Sequence, residues 1–127
     1  MLNIAFTNCG EIRMGSPFQC CAIVLEGPWV PDIPTTDWQN LSAASPDGRY
    51  AALVRWDTPR NEPGFRLFTV DLIERAVRRG RRISGCCEAL WWEDGQFRWR
   101  TFQPRSNDAL QRTARGRVQR RPPKRRR

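Results

Sequence analysis

Histidine is absent from the 127 residues. Its absence removes Ser-His-Asp and Cys-His catalysis, histidine-ligated metal centres, and the side chain that titrates near neutral pH unaided. No glycine-rich loop of the phosphate-cradling kinds occurs. No apolar run approaches the ~20 residues of a membrane-spanning helix, so no membrane association is expected. The opening Met1-Leu2-Asn3-Ile4-Ala5-Phe6 lacks the basic leader and long apolar stretch of a secretory signal. A cytoplasmic location with reduced thiols is the expectation. Cysteine occurs five times, an odd number that argues against a complete disulfide framework.

Charge and aromatic residues divide the chain in two. From Gln103 onward lie ten of the 22 basic residues and one of the 13 acids, Asp108, so the whole formal net charge of +9 resides there. Residues 1–102 are electrically balanced. All six Trp, all six Phe and the single Tyr precede Gln103. Beyond it only Ala109, Leu110, Ala114 and Val118 are apolar, too little to offset the entropy of ordering. The expected organisation is a β-rich globular domain over 1–102 with one modest core, followed by a basic disordered tail over 103–127.

The punctuation of the body points to strands. Leu2–Thr7 reads as a strand interrupted by Asn8-Cys9-Gly10, and Glu11–Met14 as a second short strand. Phe18–Leu25 is the longest early apolar segment, broken only by Gln19, which predicts a strand covered on both faces. Gly27–Ser45 is rich in Pro, Thr, Asp and Asn and reads as one long loop pinned by Trp29 and Trp38. Arg49–Trp56 and Phe65–Val70 read as antiparallel strands joined by Asp57–Gly64. Leu72, Ile73, Ala76 and Val77 have helical spacing, with Asp71 as a possible cap. A strand end and turn fit the same residues equally well, so both readings stay open for 72–79.

Asp94-Gly95 between Cys86–Trp92 and Gln96–Phe102 is a strong hairpin signal. A two-residue turn sets Trp92 against Phe97 and Leu90 against Trp99 on a core-like face. On the other face it sets Trp91 against Arg98 and Ala89 against Arg100, a half-exposed aromatic–guanidinium surface.

Ser45-Pro46-Asp47-Gly48-Arg49-Tyr50 leads directly into a strand, a second strand ends near Val70-Asp71, and Gly85 precedes a Trp-containing strand. Over about residues 42–102 this pattern resembles blade segments of β-propellers of the WD40 or TolB type, about one and a half blades at ~40–45 residues each. The turn motif occurs once, whereas a propeller needs about four or more blades. The resemblance therefore implies either a propeller-style meander in a small sheet or a fragment completed by oligomerisation. It also implies a binding scaffold rather than an enzyme. The expected fold class is mainly β: a small antiparallel meander with propeller-blade-like hairpins.

Chemistry-bearing clusters are few. The acidic pairs Glu93-Asp94 and Asp71/Glu74 fit turns better than acid–base catalysis. Cys20-Cys21 and Cys86-Cys87 could supply four thiolates to zinc, but adjacent strand residues point to opposite faces. The simpler reading packs one cysteine of each pair in the core and leaves Cys9 alone. No enzyme activity and no cofactor are expected. Trp and Arg dominate interface hot spots, which makes Trp29, Trp38, Trp91, Arg98 and Arg100 candidate contacts for a protein partner. Arg115, Arg117, Arg120, Arg121, Lys124, Arg125, Arg126 and Arg127 form a candidate arm for anions or nucleic acid, whose affinity would fall steeply with salt. Arg78, Arg79, Arg81 and Arg82 could extend that basic surface. Pairing through an open sheet edge is a further route to oligomers.

Overall fold

The computed structural model describes residues 1–12 and 16–102. It is an antiparallel meander of β1 (Asn3–Glu11), β2 (Gln19–Glu26), β3 (Trp38–Ala44), β4 (Tyr50–Trp56), β5 (Gly64–Asp71) and β6 (Ala76–Arg79), hydrogen-bonded in that order. A short β7 (Ile83–Ser84) pairs with the start of β5. A separate hairpin of β8 (Cys87–Glu93) and β9 (Gln96–Thr101) follows. The expectation of a disordered tail, and the Arg and Lys residues assigned to it, lie outside the described residues.

The β4–β5 pair is the centre. Its register is continuous from Tyr50↔Asp71 to Trp56↔Phe65. Residues directly opposite share a face, so Leu53 and Phe68 point one way while Val54 and Leu67 point the other. Each set has its own core. Leu53 and Phe68 pack with Ile23 and Trp38, flanked by Ile4, Phe6, Leu25 and Ile33. Val54 and Leu67 pack with Ala52, Phe65, Cys87 and Leu90. The β1–β2 hairpin covers the first face and the β8–β9 hairpin the second. Ala51, Ala52, Leu53 and Val54 are consecutively buried for this reason.

The motif Ser45–Tyr50 forms the tight turn between β3 and β4. Ser45 Oγ accepts the Tyr50 N–H at 2.9 Å and donates to Asp47 Oδ1 at 2.7 Å. Asp47 Oδ1 also accepts the Arg49 N–H at 3.0 Å. Gly48 supplies the positive φ of 76° that closes the bend. At the other hairpin Asp94 and Gly95 have φ of 53° and 79°, as the primed turn requires. The register there is the expected one at all four positions: Trp92↔Phe97, Trp91↔Arg98, Leu90↔Trp99 and Ala89↔Arg100.

Several expectations are corrected. The segment Gly27–Ser45 is not all loop, because Trp38–Ala44 is a strand. Its polar residues hide the pattern, and Gln39 is buried because its amide donates to the Cys87 carbonyl. The second face of β2 is not covered: Val24 is 50% exposed. Asn8-Cys9-Gly10 does not end β1 but makes an irregularity between Thr7 and Gly10, with Asn8 at φ 51°; Glu11, expected to open a second strand, belongs to β1, and Arg13 and Met14 of that expected strand lie outside the described residues. Of the two readings open for 72–79, the strand and turn is the one found, and no helix forms there. Asp71 Oδ1 accepts the Ile73 and Glu74 N–H groups as a cap would, but Arg75 turns left-handed at φ 53° and Ala76–Arg79 pairs with β5. Cross-strand pairing outweighs the weak helical spacing.

Cysteine usage also differs from the simple picture. Cys9 is not alone but forms a disulfide with Cys21, which removes Cys21 from any four-thiolate zinc set. Cys21 and Cys87 are the buried members of their adjacent pairs, as strand alternation demands.

Trp38 is not a surface candidate. It is fully buried, meets Phe68 edge-on with centroids 5.0 Å apart, and donates its indole N–H to the Pro34 carbonyl at 2.8 Å. Trp38→Ala is expected to lower unfolding free energy by about 3–5 kcal/mol, whereas Trp29→Ala, at a partly exposed loop position, should cost about 1 kcal/mol or less. Urea unfolding of the two variants checks this, and similar losses would contradict the assignment.

Candidate functional site

The β8–β9 hairpin is held to the body at both ends of its inner face. At one end Gln39 ties β3 to Cys87 of β8. At the other, Trp92 stacks on Tyr50 with centroids 5.6 Å apart and planes 14° apart, and Phe97 meets Trp92 edge-on at 4.9 Å. Tyr50 is itself fixed from behind. The Arg49 guanidinium lies 4.9 Å from its ring centre and grips Asp71 with two parallel bonds, 3.0 and 2.9 Å long. A chain of contacts thus runs from the β5–β6 turn through Asp71, Arg49 and Tyr50 to Trp92.

Electrostatics follow from this geometry. Hydrogen bonds from Arg49, then those from the Glu74 and Ile73 amides, hold the Asp71 carboxyl down at about 2 against the desolvation that opposes it. The shift is the one an ion pair with Arg49 produces. The free thiols move the opposite way. Burial pushes Cys87 up to about 11, and burial followed by the Asp37 charge raises Cys20. A nucleophilic thiolate needs the reverse.

The outer face of the hairpin carries Trp91, Arg98 and Arg100 together, as the alternation of β8 and β9 dictates. The Trp91 indole donates to Glu93 Oε1 at 3.1 Å, Arg98 lies 3.8 Å from the same oxygen, and Arg100 pairs with Glu88. Arg98 Nε is shielded from solvent yet has no hydrogen-bond partner among the described residues. Trp29 is not part of this cluster; it lines a separate shallow pocket with Met1, Leu2, Pro28, Leu72 and Arg75.

One residue placed by sequence on the core-like face is largely outside. Trp99 is 42% exposed because it lies toward the sheet edge, beside the gap between the end of β6 at Arg79 and the start of β7 at Ile83. It lines an open groove of about 550 Å³ with Leu67, Gly80, Arg81, Arg82 and Ile83. Of the four clustered arginines, Arg82 is spent on structure: it donates to the carbonyls of Asp57, Glu62 and Pro63 at 2.9–3.0 Å. The hairpin therefore shows a tryptophan on each of its faces, Trp91 outside beside Arg98 and Trp99 inside beside Arg81 and Arg82.

Because Asp71 sits lower in the folded chain than its ordinary value of 3.8, its contribution to stability is complete above about pH 4 and is lost as pH falls toward about 2. Asp71→Asn should lower the melting temperature at pH 7 and flatten the acid limb of the stability profile over that window. An unchanged acid limb would contradict the pairing. Comparison of the chain with protein-family models, with curated proteins and with solved structures finds no match.

Proposed function

We propose that this protein is a non-enzymatic interaction module that binds a protein partner through the β8–β9 hairpin. The observation that carries the reading is the composition of the hairpin's outer face. It sets one tryptophan, Trp91, beside Arg98 and Arg100, the residue types that dominate interface hot spots. Its arginines are already matched by Glu88 and Glu93, so the face is nearly neutral. A neutral aromatic surface suits a protein better than a polyphosphate, which selects uncompensated cations. The Arg98 side chain is half-exposed, and its outer guanidinium N–H groups are donors that a carbonyl or carboxylate of the partner can take. The groove beside Trp99 would widen the same contact around the hairpin edge. The basic segment after Gln103 would add long-range attraction.

A second reading, nucleic-acid binding through the cationic segment, rests on the ten basic residues beyond Phe102. The two differ in salt dependence. In the first, Trp91→Ala should weaken the protein complex by about 30-fold, the equivalent of a ~2 kcal/mol hot spot, and the wild-type complex should survive high salt. Size-exclusion and affinity measurements on the isolated complex read both. Binding to mixed-sequence RNA that collapses with salt and ignores Trp91→Ala would favour the second reading and overturn the first.

A further inference from the structure

The face of the sheet opposite the β8–β9 hairpin carries a concentration of arginines that the interaction reading does not use. Arg55 and Arg66 stand directly opposite each other on β4 and β5, and Arg79 stands opposite Phe68 on β6. Direct partners share a face, and Arg66 and Phe68 are two residues apart on one strand, so all three guanidiniums rise from the same side of three adjacent strands. They line one cleft of about 200 Å³ together with Trp56, Asp57 and Phe68. Like charges directly opposite one another weaken a sheet. Asp57 is the acid lining the cleft, with Asp37 at its rim beside Arg55.

Two of the guanidiniums are held in place before any ligand arrives. Arg66 donates to Asp57 Oδ2 at 2.8 Å and to the Gly80 carbonyl at 2.9 Å. Arg55 donates to the Thr36 carbonyl at 3.1 Å and meets Asp37 at 3.4 Å, and it lies 5.9 Å from the Trp38 ring centre. Each guanidinium keeps further N–H donors beyond those it spends. The Arg79 side chain makes no hydrogen bond or ion pair among the described residues, and the residue is exposed. The arrangement is two fixed forks and one free arm converging on a space smaller than the ~300–1,000 Å³ of sites for drug-sized molecules.

We propose that this cleft binds a small multiply charged oxyanion of the phosphate class, either free phosphate or the phosphoryl group of a phosphorylated side chain. Planar guanidinium forks match such oxygens in geometry as well as charge. Arg55 and Arg66 form the floor, and Arg79 closes over the anion. Asp57 does not block the site. It accepts from Arg66 and so aims the remaining donors of that fork into the cleft. The proposal is independent of the hairpin reading, because the two surfaces lie on opposite faces of the sheet.

The test is a titration of the full isotope-labelled chain with inorganic phosphate, followed by backbone and arginine side-chain NMR. Position-resolved shifts are needed because the cationic residues after Gln103 attract anions as well. Saturable shifts clustered at Arg55–Asp57, Arg66–Phe68 and Arg78–Gly80 are expected, and Arg79→Gln should weaken them by about tenfold or more. Arg79 is the residue to change because its side chain makes no hydrogen bond or ion pair within the described fold. O-phosphoserine and a phosphoserine peptide form the second arm. Affinity equal to phosphate identifies a free-anion site, and tighter binding of the peptide identifies a protein-borne group. Shifts confined to residues 103–127, the same shifts with sodium chloride at matched ionic strength, or affinity unchanged in Arg79→Gln would overturn the proposal.

Discussion

The β4–β5 pair is buried on both faces, and the rest of the structure follows from that constraint. A sheet with apolar residues on one side needs one cover, but Ala51–Val54 are apolar at consecutive positions and need two. The chain supplies them from its two ends. The N-terminal hairpin brings Ile4, Phe6 and Ile23 to one face, and the C-terminal hairpin brings Cys87 and Leu90 to the other. A domain this small can hold such a layered arrangement only by sharing the central strands between two cores.

The same constraint decides which groups are left for recognition. Hydrophobic residues of the central strands are consumed by the two cores, so the exposed tryptophan falls to the last hairpin, whose outer face has no further layer over it among the described residues. Polar side chains then set the hairpin's position. Gln39 anchors its start, and the Asp71–Arg49–Tyr50 chain presents a flat ring to Trp92. A mobile anchor would blur the geometry of Trp91 and Arg98, and low mobility is what a hot-spot surface requires. The arginine cleft on the other side lies where β4 and β6 end beside the first half of β5.

What the sequence reveals about this fold depends on how local the signal is. The Ser45–Tyr50 turn and the Asp94-Gly95 hairpin are legible because the residues that make them act within a few positions of one another, and the hairpin's pairing follows from its turn length alone. The meander of β4 and β5 is legible for the same reason. β3 is not, because Gln39, Asn40 and Ser42 break the alternation and the strand exists only through its partner β4 and the amide that reaches Cys87. The role of Trp38 could not be separated from that of Trp91, since both are tryptophans beside polar residues and only the far-off Phe68 makes the difference. Arg82 and Arg79 sit three positions apart in one basic run. The first bonds three carbonyls and the second stands free, a distinction that belongs to tertiary structure.

The hairpin face and the arginine cleft both depend on a central pair that stays folded, the first packed against it and the second built partly on it. Native-state hydrogen exchange resolved by residue tests that hierarchy most directly. The amides of Leu53, Val54, Leu67 and Phe68 should exchange most slowly, at the rate set by global unfolding, with β1 and β9 opening first. Slowest exchange in either hairpin, or uniform protection across all strands, would contradict the account.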